Sequence, residues 1–121
     1  MRIVKINTLR DAKKEIEAIG SDSKSIDIMA PKAVFQTIKI DDVVLQDAII
    51  IKQDMLSIGG EVAIPKHAFD LQDKPATILL MGTLSQLHLL VEKLSRHYPR
   101  IKNLAEELAD IIKEIESPKR H

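Results

Sequence analysis

The segment from Ile49 to Pro65, IIIKQDMLSIGGEVAIP, constrains the fold more than any other stretch of the chain. Leu45, Ala48, Ile49, Met55 and Leu56 share one helical face with Lys52, and Ile51 and Ile58 widen that face. A helix this apolar has to be buried on more than one side or lie in an interface. Gly59-Gly60 stops it: one glycine can take the left-handed position after the last turn, and the second lets the chain reverse. Val62 and Ile64 then form one face of a short strand running to Pro65. A helix that feeds a strand so directly implies a sheet with helices packed on it, because each apolar face needs a partner.

The flanking sequence supplies those partners. Arg2 to Ile6 reads as a short strand. Thr8 can cap the helix that follows, with Asp11 in the capping-box position and Leu9, Ala12, Ile16 and Ile19 as its apolar stripe. Gly20 ends that helix, Ser21 to Ser25 is a loop, and Ile26 to Met29 is a strand candidate closed by Pro31. In Ala33 to Ile40, Val34, Gln36, Ile38 and Ile40 fall on one face and Phe35, Thr37 and Lys39 on the other. Asp41 and Asp42 offer an N-cap and first-turn charge to the helix before Gly59.

After Pro65, Lys66 to Pro75 is a polar connection anchored by Phe69. Ala76 to Met81 is apolar without alternation, which predicts a central strand covered on both faces. Thr83 and Gln86 form a capping-box pair at the start of a helix striped by Leu84, Leu87, Val91 and Leu94. Tyr98-Pro99 breaks that helix. Ile101, Leu104, Ala105, Leu108, Ile111, Ile112 and Ile115 stripe the last one, ended by Ser117-Pro118. The fold class expected is α/β in the mixed α+β sense. It has a single sheet of about four strands, element order β-α-β-α-β-β-α-α, and at least one right-handed crossover. One domain should span residues 1–116, with 117–121 a frayed tail.

Bulk properties remove several functions. Eighteen Lys and Arg against 18 Asp and Glu leave no net charge to steer the 121-residue chain to nucleic acid or an anionic membrane. Aromatics at 2% provide no base-stacking platform. No cysteine is present for disulfides or thiolate chemistry. The N-terminus lacks a signal-peptide core, and no apolar run is long enough to span a bilayer, so a cytoplasmic location is expected.

The strongest local candidate for a site is LLMGTLSQ, where Met81, Gly82, Thr83, Leu84 and Ser85 join a buried strand to a helix N-terminus. Backbone N–H groups at such a turn can hold an anion, and Lys52 could add a cation if it faces a cleft. The segment lacks the lysine and repeated glycines of a phosphate loop, so an ordinary βα turn is the competing reading. Lys52 can equally pack its stem on the core and send its ammonium to solvent. His67, His88, His97 and His121 show no metal-ligand spacing, and Ser57 and Ser85 lie outside any nucleophile elbow. Glu106, Asp110, Lys102 and Lys113 form a solvated face. No catalytic pair, metal or cofactor is expected, and the chain is not expected to be an enzyme on its own.

The segments MAPKAVFQTIKI, IIIKQDMLSIGGEVAIPKHAF, ATILLMGTLSQLHLLVEKL and IKNLAEELADII, in this order, resemble an N-terminal extension found on some bacterial and archaeal dihydropteroate synthases. The resemblance covers residues 26–112, and its most specific parts are the KQ-ML-GG and LLMGT segments. In such enzymes the extension precedes a (β/α) barrel that condenses a pterin pyrophosphate with p-aminobenzoate. The barrel's NVTPDSF-type signature and its later Asp, Asn, Lys and Arg positions have no counterpart here, so no catalytic residue carries over. The resemblance implies a non-catalytic accessory domain, and numbering from Met1 favours a stand-alone relative. Such a domain would dock on a folate-pathway enzyme or form a homo-oligomer through the helix before Gly59 or the last helix. The alternative is a module that binds a pterin or phosphorylated metabolite at the Met81-Gly82-Thr83 turn.

Overall fold

In the computed structural model, residues 1–66 and 74–117 are described. Their elements are α1 (Leu9–Ile19), α2 (Ser23–Met29), a 3-10 turn (Ala30–Lys32), β1 (Phe35–Val43), α3 (Leu45–Ser57), β2 (Glu61–Ala63), β3 (Ala76–Thr83), α4 (Leu84–Leu94) and α5 (Pro99–Glu116). The three strands form one antiparallel sheet in the order β1-β3-β2. The mixed α+β class is as expected, with three strands in place of four. Because β1 and β2 each run antiparallel to β3, they are parallel to each other, and α3 is the crossover that joins them.

The expected first strand and the further strand candidate at Ile26 to Met29 are absent for different reasons. Arg2 to Ile6 has no ladder partner, and Ile3 and Val4 are exposed while Ile6 packs on the core. Ile26 to Met29 is helical instead. A four-residue apolar run does not distinguish strand from helix, and here Ile26 and Met29, three apart, are the half-buried pair while Ile28 faces out. Pro31 falls in the 3-10 turn, where its missing N–H breaks no helical bond.

β1 also runs further than its apolar pattern. Asp41 and Asp42 belong to the strand and do not cap α3. The Thr77 hydroxyl donates to Asp41 Oδ1 at 2.8 Å, and Asp42 adopts φ 56° in a bulge between the Ile40–Ile78 and Val43–Ala76 pairs. Aspartate tolerates that left-handed backbone better than most side chains. Helix α3 consequently starts after Val44 with no side-chain cap.

The core lies between one face of the sheet and helices α3 and α4, with α5 packed on α4. Val62, Ile78 and Leu80 meet buried Ala48, Ile51, Met55, Leu84, Leu87 and Leu90 there. The buried side of α3 is centred on Ile51 and Met55, so Leu56 is exposed and Lys52 lies at the margin. In α1, Ala12 is buried and Ile19 points to solvent. Helix α5 buries Ile101, Ala105, Leu108 and Ile112 and leaves Ile111 partly exposed. The expected anchor Phe69 and the tail beyond Ser117 lie outside the described residues.

β3 is central, as its apolar run predicts, but its two faces differ. Ile78, Leu80 and Gly82 are buried, whereas Leu79 and Met81 on the outer face are only half-buried. Among the described residues no helix packs on that outer face.

Candidate functional site

Side-chain packing, more than chain reversal, accounts for two of the glycines. Gly59 takes φ 93°, and the bonds from Gly59 N–H to Leu56 O and from Gly60 N–H to Met55 O complete a Schellman stop. Gly60 and Gly82 flank the fully buried Met55 from β2's entry and from β3. A Cβ on Gly60 would lie 2.7 Å from Met55 Sδ, and one on Gly82 would lie 2.6 Å from Met55 Cε. The GG and MGT segments are therefore linked through a single thioether side chain.

The turn from β3 to α4 is built from its own donors. Gln86 N–H donates to Thr83 Oγ1 at 3.1 Å and Thr83 N–H donates to Gln86 Oε1 at 2.8 Å, the reciprocal bonds of a capping box. Leu84 N–H donates to Val34 O at 2.8 Å. Gly82 pairs with Gln36 in the ladder, and Met81 stands between Thr37 and Glu61. Lys52 lies on another side of the sheet, at its β2 edge. Its Nζ donates to Val62 O at 2.8 Å and stands 3.5 Å from Glu61 Oε1, which also accepts from Val62 N–H at 2.9 Å. That N–H bond, aided by the Lys52 charge, holds the Glu61 carboxyl below its usual range.

A polar cluster that periodicity did not reveal ties α3 to the start of α5. The Asp47 carboxylate, 1% exposed, accepts from the Tyr98 hydroxyl, from Arg100 Nε at 2.5 Å and from Arg100 Nη2 at 2.9 Å. Burial alone would push Asp47 up, but the bonds from Arg100 and Tyr98 outweigh it and hold the carboxyl below its ordinary value. Burial and the neighbouring carboxylate raise Tyr98. The signal in the sequence was the spacing Asp47, Ile51, Met55: an acid in register with the buried face requires a partner. Two turns along α3, His97 Nε2 lies 2.9 Å from Asp54 Oδ2, and His88 Nε2 lies 2.8 Å from Glu116 Oε2. Among the described residues no three His, Cys, Asp or Glu side chains converge to hold a metal, and no helix is long and apolar enough to cross a membrane.

The outer sheet face carries the Met81 position. Phe35, Thr37 and Lys39 of β1 stand opposite Thr83, Met81 and Leu79 of β3, and Glu61 and Ala63 of β2 complete the row. Phe35 is 61% exposed. Fold and geometry together define a small mixed α+β chain with an open sheet face and, among its described residues, five ion pairs in which only Asp47 is buried.

Comparison with known proteins adds one relative. The chain is similar to the bifunctional dihydropteroate synthase/dihydropteroate reductase of Helicobacter pylori, with 28% identity over 101 residues. That stretch is 84% of this chain and 27% of the relative, so the chain spans about a quarter of that protein's length. No family model matches, and no solved structure matches.

Proposed function

We propose that this chain is a non-catalytic accessory domain of folate biosynthesis, related to the N-terminal extension of dihydropteroate synthase, that docks on the catalytic part of such an enzyme. The observation that carries the reading is the asymmetry of the match, which takes in 84% of this chain but 27% of the relative. A match confined to about a quarter of a bifunctional enzyme supports reading this chain as related to one module of it.

The outer sheet face supports a docking role. Phe35, Leu79 and Met81 make an apolar strip rimmed by Lys39 and Glu61, an arrangement suited to a protein surface. The occupant is the catalytic part of a dihydropteroate synthase, whether it continues the same polypeptide or is encoded separately. The alternative, a pterin or phosphorylated metabolite at the Met81-Gly82-Thr83 turn, is the weaker reading. The N–H groups of Thr83, Leu84 and Gln86 already have partners, and Lys52 is bound to Val62 and Glu61.

Isothermal titration of the chain into a dihydropteroate synthase catalytic domain from the same organism tests the proposal. Binding is expected, with a loss of about tenfold or more for Phe35→Ser combined with Leu79→Glu, as for removal of central apolar anchors. No binding, or binding unchanged by the double substitution, refutes it.

A further inference from the structure

Lys52 and Glu61 meet where the sheet ends, since β2 is an edge strand among the described residues. In an antiparallel ladder, residues alternate between those that exchange backbone bonds with the neighbouring strand and those whose N–H and C=O point away. The bond from Leu84 N–H to Val34 O sets the phase: Gln36, Ile38 and Ile40 exchange bonds with Gly82, Leu80 and Ile78. Met81 and Leu79 therefore direct their backbone groups to Glu61 and Ala63 of β2. Val62 is left as the one residue of this three-residue strand whose N–H and C=O point out of the sheet.

Side chains take both of those groups. Glu61 Oε1 accepts from the N–H at 2.9 Å, and Lys52 Nζ donates to the C=O at 2.8 Å while standing 3.5 Å from the same carboxylate oxygen. The two residues reach the edge from opposite faces. Alternation puts Glu61 on the outer face beside Met81, whereas Lys52 comes from α3 on the inner face, where Val62 is buried. Its place next to buried Ile51 lets the methylene stem follow the core out to the edge. Together the ammonium and the carboxylate occupy the donor and acceptor positions that an added strand would use.

The sequence shows why such an edge needs closing. From Gly59 to Pro65 the chain reads GGEVAIP, with Glu61 its one charged residue. A weakly charged, apolar edge invites pairing with another chain, and folded proteins block such edges with charged side chains, lysine above all. We propose that Lys52 and Glu61 form a guard that closes the β2 edge to strand addition. Lys52 then serves the sheet edge and not a ligand. Because Val62 is the only outward residue of β2, two side-chain bonds are enough to close the whole strand.

Hydrogen exchange and light scattering on the full chain test this together. Both side chains are a third or more exposed, so shortening them opens no cavity in the core. Lys52→Met combined with Glu61→Ala removes both bonds. At micromolar concentration the Val62 amide of this double variant should exchange about tenfold faster than in wild type, as for loss of a bond to a charged acceptor. At millimolar concentration the variant should self-associate beyond wild type, and the Val62 amide should regain protection as a second edge pairs with it. Lys52→Arg combined with Glu61→Gln keeps a donor and an acceptor in place and should match wild type in both measurements. A double variant that associates no more than wild type, or that associates with Val62 still unprotected, overturns the proposal. Association of the Arg and Gln combination overturns it too. If the double variant fails to fold, Lys52→Met and Glu61→Ala taken singly each free one outward group and carry the same two readouts.

Discussion

Replacing Gly82 by alanine tests the packing link between the two glycine segments. Alanine normally suits a strand better than glycine, and where backbone and space allow the exchange stabilises by about 0.4–1 kcal/mol. Here the new methyl would sit 2.6 Å from Met55 Cε and 3.0 Å from Gln86 Oε1, inside contact distance of both. Met55 is fully buried and is confined on its other side by Gly60, so it cannot simply swing away. Gln86 cannot withdraw without releasing Thr83 N–H. The overpacking should cost about 1–3 kcal/mol, reversing the usual sign of the exchange. Met55→Ala alone should cost about 2–5 kcal/mol through the cavity it leaves. Combined, the Gly82 methyl enters that cavity, so the double variant should be more stable than the sum of the singles by about 1 kcal/mol or more. Urea titrations followed by circular dichroism give the four free energies. A Gly82→Ala protein at least as stable as wild type, or an additive cycle, would refute the reasoning.

Further predictions concern the polar contacts. Asp47→Asn should cost about 2 kcal/mol at neutral pH, because it weakens charge-assisted bonds to a buried carboxylate. Since the folded-state pKa of Asp47 lies below its unfolded value of 3.8, its contribution is present above about pH 4 and lost as pH falls through the folded pKa. The melting temperature of wild type should therefore converge on that of Asp47→Asn as the solution is acidified below pH 4. A constant gap between the two melting curves would count against this assignment. Thr83→Ala should remove about 1 kcal/mol through loss of the α4 cap, measured by the urea midpoint. Glu61→Ala should speed hydrogen exchange at the Val62 amide while leaving the Leu80 amide unchanged, because only Val62 depends on that carboxylate.

What the sequence revealed follows the strength of its local signals. The Thr8 and Thr83 caps, the left-handed Gly59, the facing of β1 and the stripe of α5 were all legible, because each is decided within a few residues. The N-terminal strand was not, because whether Arg2 to Ile6 joins a sheet depends on a free neighbouring edge. Helix α2 was missed because Ile26 to Met29 is too short for periodicity to separate helix from strand. The role of Gly60 and Gly82 was hidden for another reason: the side chain they accommodate, Met55, comes from a different element than either glycine. Asp47 escaped notice because its partners lie 51 and 53 residues away. Of the proposed turn, Thr83 and Gln86 were visible as a cap, but Lys52 is brought to Val62 and not to that turn.

The measurement that bears most directly on the accessory role pairs an activity assay with a binding assay on one protein preparation. The purified chain is supplied with a pterin pyrophosphate and p-aminobenzoate, first alone and then with the dihydropteroate synthase catalytic domain of its own organism, while complex formation is followed by light scattering. The account predicts no condensation by the chain alone and a defined complex with the catalytic domain, lost when Phe35 and Leu79 are replaced. Turnover by the chain alone, or a catalytic domain that never binds it, would contradict the account.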